Sequence, residues 1–274
     1  MSTSQDRATL SYRRLRADET RAASVIELAK AYSERMPAAH AFSHTTAGVV
    51  QGMWLPHRLE TDRHLHVSVP AGTRAPQMLG IVGHKRDVLD IRRVGDLRVT
   101  SPHHTWIDVA PMLRRVELVA AADFLCGGRD PMHTPDELCA VTAELTGRRG
   151  CRALREAAIL ARAAVDSPQE TRTRLFILDD GIPEPVANFV IRDSDGHFVA
   201  RVDLAWPRFR VCVEYEGDGH RTDRKQFRKD ITRRERVEDQ NWRMVRITDD
   251  DLTYGGQELL RRVRAALAAR GARS

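Results

Sequence analysis

A mixed α/β core flanked by helices, preceded by an α+β region, is the fold class the sequence predicts, and three observations carry the prediction. Between residues 167 and 270 the hydrophobic period switches in the order helix, strand, strand, strand, helix, strand, helix. Two β-rich runs, VARVDLAWP and RVCVEYEG, are separated by a short polar turn, which pairs them as neighbours. Gly127, Gly128 and Pro131 interrupt the pattern and divide the chain into residues 1–132 and 133–274. With 274 residues, 42% of them hydrophobic, the chain is long enough for two modest cores.

In chain order, Ala22, Val25, Ile26, Leu28 and Ala29 recur at helical spacing between Asp18 and Met36, with Asp18 as the expected cap. A second short helix is predicted from Ser43 to Pro56 in FSHTTAGVVQGMWLP. HLHVSVP alternates as a strand with His64 and His66 on one face; such a pair reads either as part of a cation site or as a polar strand face, and no third ligand follows at a clear spacing. MLGIVG, DVLDIRRV and LRVTS are further strand-like pieces. Ser101 and Pro102 then open a helix over HHTWIDVAPML, with proline at the tolerated first position. Beyond the glycines, Thr134 and Glu137 form a capping box around Pro135, and CRALREAAILARAAV supplies the next helix, expected to pack between the halves.

The C-terminal core begins with the same capping pattern at Ser167, Pro168 and Glu170, which starts a helix running to Asp179. The strands VANFVIRD and HFVARVDLAWP follow, joined by the turn Ser194, Asp195 and Gly196. After RVCVEYEG, Phe227, Ile231 and Val237 mark the apolar side of a basic helix; WRMVRIT alternates as a strand, and GGQELLRRVRAALAARG forms a terminal amphipathic helix.

The chemistry concentrates in Val202 to His220. Asp203, Glu214 and Glu216 occupy strand positions where neutral residues are usual. Glu214 and Glu216 project to one side of their strand and Tyr215 to the other, and a paired strand brings Asp203 beside the two glutamates. Converging acids repel unless a cation sits among them, and an oxygen-only set suits Mg²⁺ or Mn²⁺ and not zinc. The alternative is a charged edge strand that blocks aggregation; VCV ahead of the acids reads instead as buried strand.

The stretch from Ser167 to Tyr254 resembles the PD-(D/E)XK nuclease superfamily, in particular Vsr-like endonucleases, on SPQETRTRL, RVDLAWP, VEYEGDGH, a basic helix with Asp230 and Arg234, and NWRMVRITDDDL. The resemblance implies a restriction-endonuclease-like sheet core in which Asp203 and Glu214 hold the metal and Glu170 joins them, although capping alone also explains Glu170. One departure stands out: Glu216 occupies the place of the superfamily lysine, so the water-orienting cation must come from elsewhere, His220 being nearest, or a second metal must replace it. The first 130 residues or so are similar to AbiEi-type antitoxins on FSHTTAGVVQGMWLP, HLHVSVP, GIVGHKRD and LRVTSPHHTWIDVA. That similarity implies a docking role toward DNA or a protein partner; a scaffold that only buttresses the nuclease core is the other reading.

The implied function is a metal-dependent endonuclease that hydrolyses DNA phosphodiester bonds, in phage defence or repair, with RNA equally admissible to the chemistry. Asp203, Glu214 and the Tyr215 carbonyl hold Mg²⁺ or Mn²⁺, Glu216 accepts a proton or binds a second ion, and His220 donates to the leaving oxygen. Arg221, Arg224, Lys225, Arg228, Lys229, Arg233 and Arg234 are the expected phosphate contacts, against the ordinary reading of such a run as a solvated face. The alternative is a catalytically inactive nuclease-like module that binds DNA or a protein. A net charge of +6 favours an anionic partner, but only four of the 44 basic residues are lysine, and an arginine bias this strong also follows from a GC-rich genome. Four cysteines without CxxC spacing indicate a reducing compartment. MSTSQDRATLSYRRLRADETR has no apolar signal region, and no run nears the ~18 apolar residues of a membrane span. A cytoplasmic protein with no membrane partner is therefore expected.

Overall fold

The computed structural model describes residues 24–216, 233–254 and 256–272. They fall into two compact units: the first runs to Cys126 and resumes over Asp130–Ala161, and the second takes Gly127–Arg129 and everything from Arg162 onward. The two helices after the glycines therefore belong to the first unit, not to a domain beginning at residue 133. The reason is packing. Cys151, Leu154, Ala157 and Ala158 line one buried side of α7 (Cys151–Leu160), which lies against α5 (Arg115–Cys126) and α6 (Pro135–Ala143). Gly127 and Gly128 only turn the chain, and the His133 N–H returns to the Leu125 carbonyl at 3.0 Å.

In the first unit, α1 (Val25–Ser33) starts from a capping box in which Ser24 and Glu27 exchange side-chain to backbone bonds; Asp18 lies outside the described residues. Helix α2 (His44–Gln51) ends where Gly52 turns left-handed at φ 73°, four residues before the proline expected to stop it, and α3 (His57–Glu60) follows that proline. The strands β1 (Ala41–Phe42), β2 (Leu65–Pro70), β3 (Gln77–Met78), β4 (Ile81–Arg86), β5 (Ile91–Val94) and β6 (Leu97–Thr100) form one six-stranded sheet in the order β3-β4-β2-β1-β6-β5. Between an antiparallel and a parallel neighbour, β2 is buried on both faces, His66 and Ser68 included. The face that carries His66 and Ser68 is polar but buried. Helix α4 (Pro102–Val109) has proline at its first position, as its sequence predicts.

The second unit opens with α8 (Pro168–Asp179), capped by Ser167. The strands β7 (Val186–Arg192), β8 (Phe198–Trp206), β9 (Val211–Glu216) and β10 (Arg243–Thr248) form a mixed sheet ordered β10-β9-β8-β7, antiparallel except for the β9–β10 pair. A parallel pair needs a crossover connection, and between β9 and β10 the described residues 233–239 are helical. Leu204, Val211, Val213 and Ile247 pack with Ile177 of α8, Leu252 of α9 (Asp249–Thr253) and Leu259 and Val263 of α10 (Gly256–Ala268). A second cluster holds Val202, Ala205, Cys212, Val237 and Trp242. Each such side chain taken fully out of water contributes roughly 1.5–3 kcal/mol, so the sheet is fixed from both clusters. The fold is mixed α/β, and no helix among the described residues is long and apolar enough to cross a membrane.

Candidate active site

The acids of the second unit sit where its central ladder ends. β8 and β9 pair Trp206 with Val211, Ala205 with Cys212 and Leu204 with Val213, and the ladder stops one step short of Asp203 and Glu214. The other neighbour is irregular at the same level. β7 pairs Ala187 with Leu204 and Phe189 with Val202, but Asn188 between them is left-handed, at φ 49°. Asparagine tolerates that conformation at modest cost. Asp203 is thus released from regular pairing on both sides, and its Oδ2 accepts the Tyr215 N–H at 2.7 Å in place of a ladder carbonyl. Burial raises the Asp203 pKa, against the Tyr215 N–H and the charges of Arg233 and Arg201.

Glu214 shares this region but has its own counter-ion. Its carboxylate, on a residue 9% exposed, accepts from both Nη atoms of Arg233 in a bidentate pair, and Arg233 also donates to the Arg201 carbonyl. Glu216 is ion-paired with Arg246 of β10, and both side chains are exposed. The packing of Val211, Val213 and Tyr215 in one cluster and of Cys212 in the other assigns Glu214 and Glu216 to the same face of β9. Two of the three acids expected to need a metal are thus neutralised by arginines of the chain itself.

Glu170 is buried, and its carboxylate accepts from the Asp166 N–H at 3.0 Å, the Ser167 hydroxyl at 2.9 Å and the Asn188 amide at 2.5 Å. It closes on Asp166 rather than on the Ser167 backbone amide, so it fastens α8 to the kinked Asn188. Burial raises its pKa, and the nearby charge of Asp203 adds to the rise. The structure therefore puts Asp203 and Glu214 at one level of β8 and β9 beside the Tyr215 backbone, ties the buried Glu170 to Asn188 at that level of β7, and sets Glu216 two residues beyond Glu214. Of the expected phosphate contacts, Arg234 pairs with Glu238 at 2.8 Å and Arg233 with Glu214. His220, Arg221, Arg224, Lys225, Arg228 and Lys229 lie outside the described residues. Asn188, Arg246 and Arg233 as a carboxylate partner escape sequence reading: each acts through strand register or a long crossover, and none carries a local motif. In the first unit His64 pairs with Asp62 at 2.7 Å, while His66 meets His84 instead.

Comparison with known proteins adds kinship. No family model matches the chain. Two Mycobacterium tuberculosis proteins, Uncharacterized protein MT2308 of strain CDC 1551 / Oshkosh and Uncharacterized protein Rv2248 of strain ATCC 25618 / H37Rv, are each 32% identical over 209 residues, covering 76% of this chain and 73% of the relative. The chain belongs to their family. A matched stretch of 209 residues in a chain of 274 must include residues 66–209, so the family likeness takes in parts of both compact units, from His66 to beyond Asp203. No solved structure matches.

Proposed function

We propose that the second unit is a divalent-metal-dependent phosphodiesterase acting on DNA in the cytoplasm. The observation that carries this reading is the release of Asp203 from both neighbouring ladders beside Glu214, with the Asp203 carboxylate bound to the Tyr215 backbone. Carboxylates half-buried at the end of a central strand are costly unless they serve a charge, and the raised pKa of Asp203 reflects incomplete compensation. The stretch from Ser167 to Tyr254 also resembles PD-(D/E)XK nucleases in sequence.

The donor atoms are of the type a hard cation takes, with Glu214 first to be released from Arg233. Asp203, Glu214 and the Tyr215 carbonyl offer oxygen only, the set preferred by Mg²⁺ and Mn²⁺. Such an ion, when bound, polarises a phosphate and lowers the pKa of an attacking water. The remaining work falls to this chain's own groups. Arg233, 39% exposed at its side chain, holds Glu214 as internal counter-ion, and on release its planar fork matches a phosphate. Glu216, in its exposed pair with Arg246, is the proton acceptor nearest along the strand. Glu170 holds the kink of β7 at Asn188, opposite Asp203 on β8.

The test is nicking of supercoiled plasmid with Mn²⁺ by wild type, Asp203→Ala and Glu214→Ala, with a single-stranded RNA of matched length as a second substrate. Nicking lost in both variants supports the reading; full cleavage by Asp203→Ala in a preparation free of contaminating nuclease ends it. A second reading is favoured by one observation, the occupation of both Glu214 oxygens by Arg233. On that reading the unit is an inactive nuclease-like module that binds DNA or a protein partner, and metal-independent binding without cleavage is its signature.

A further inference from the structure

The first unit gathers three histidines that lie far apart in sequence. His66 on β2 and His84 on β4 face the same side of the sheet, because the parallel register sets His84 beside Ser68, two residues along from His66. His44 opens α2 with a left-handed backbone, φ 50°, unusual for a residue other than glycine. Its ring stacks on that of His84 at 3.7 Å between centroids and on that of His66 at 5.1 Å. One nitrogen from each of the three rings lies within 4.8 Å of the others, and His66 Nδ1 stands 2.9 Å from His84 Nε2. Two nitrogens bound to one tetrahedral zinc at about 2.0–2.1 Å are about 3.3 Å apart, a few tenths of an ångström beyond this spacing, and the rings, now within 23° of parallel, must also turn so that their lone pairs converge.

A second, independent observation points to the same use. Asp108 on α4 is buried and ion-paired with Arg86 through Oδ1, while its Oδ2, inaccessible to solvent, has no hydrogen-bond partner and lies 3.7 Å from His44 Nδ1. Ser43 Oγ stands on the same nitrogen at 3.0 Å. This carboxylate and hydroxyl stand on the Nδ1 side of His44, the side from which an outer carboxylate can orient an imidazole that ligates through Nε2. The geometry points to a transition-metal site, of the zinc class, formed by His44, His66 and His84, with Asp108 as the positioning residue for His44. Three imidazoles select Zn²⁺ and its borderline relatives over Mg²⁺, and three protein ligands leave a fourth position open. Of the two nearby cations, Arg86 is committed to Asp108, and Arg148 also acts on His44 and Asp108.

This inference is independent of the nuclease reading, whose ligands are oxygens of the other unit. The test is titration of the metal-stripped full chain with Co²⁺, followed by visible d–d bands and displacement with Zn²⁺, in wild type, His44→Ala/His84→Ala, Asp108→Asn and Asp203→Ala. One Co²⁺ per chain with the d–d bands of nitrogen ligation in both wild type and Asp203→Ala, loss of those bands in the double variant, and about 10- to 100-fold weaker binding in Asp108→Asn are expected. Equal binding by the double variant, or no d–d bands in wild type, overturns the site. If the double variant does not fold by circular dichroism, X-ray absorption of the zinc-loaded wild type decides: three imidazole nitrogens support the site, and one or none refutes it.

Discussion

Replacing Arg233 with alanine tests the site through its counter-ion. The variant strips both charge-assisted bonds from Glu214, whose residue is 9% exposed, and removes the bond to the Arg201 carbonyl. Removing one partner of a fully buried ion pair costs about 3–5 kcal/mol because the other charge is left uncompensated. Here the Arg233 side chain is 39% exposed, so water reaches the pair and screens it, which brings the expected loss to about 1–2 kcal/mol. Urea unfolding with and without Mn²⁺ measures this, with Glu214→Gln and the double variant closing a cycle. On the proposed function the freed Glu214 also binds the ion more readily. Mn²⁺ should then stabilise Arg233→Ala more than wild type, by up to about 2.7 kcal/mol when the ion is present at a hundred times its dissociation constant. Unchanged stability together with an unchanged response to Mn²⁺ would refute both the pairing and its role as gatekeeper of the metal ligand.

Three further outcomes follow from the packing and the charges. Leu204, 1% exposed in the central strand, should cost about 2–5 kcal/mol when cut to alanine, read as a lower unfolding midpoint; a loss under 1 kcal/mol would mean that the sheet's core is misassigned. A Cβ added at Gly83 would lie 2.8 Å from the Pro76 carbonyl oxygen, so Gly83→Ala should destabilise the first unit by about 1–3 kcal/mol, and a neutral result in thermal unfolding would contradict this close approach. The His104 pKa falls to about 4 through burial, then through Arg86 and His103. The unfolded chain takes up that proton near pH 6.5 and the folded chain does not. The penalty is therefore absent above pH 6.5, grows as pH falls toward about 4 by at most about 1.4 kcal/mol per unit, and levels off below. Relative to wild type, His104→Asn should gain stability between pH 7 and pH 5, and parallel curves would exclude the effect.

Much of the architecture is legible along the chain because it is local. Ser24 with Glu27, Thr134 with Glu137 and Pro102 at a helix start each announce their element within a turn, since a cap satisfies amide groups only three residues away. The alternation in VARVDLAWP and RVCVEYEG yields a strand pair with Asp203 and Glu214 at one level, because side-chain direction repeats every two residues. Helix ends read less well. The sequence places the stop of α2 at Pro56, but Gly52 ends the helix first by going left-handed.

What the sequence by itself determined is therefore the mixed α/β class, the order of elements after residue 167 and the meeting of the acids on β8 and β9. The tertiary structure alone decided the rest. It moved α6 and α7 into the first unit, because an apolar helix face goes to whichever core can bury it and no local pattern names that core. It set Arg233 against Glu214 and Arg246 against Glu216, partners delivered by a crossover and a parallel register. It also stacked His44, His66 and His84, which sequence spacing kept apart and in which His64 was the wrong companion. Ion pairs and ligand clusters depend on distances in space, and those follow from strand order, which a chain read residue by residue does not contain.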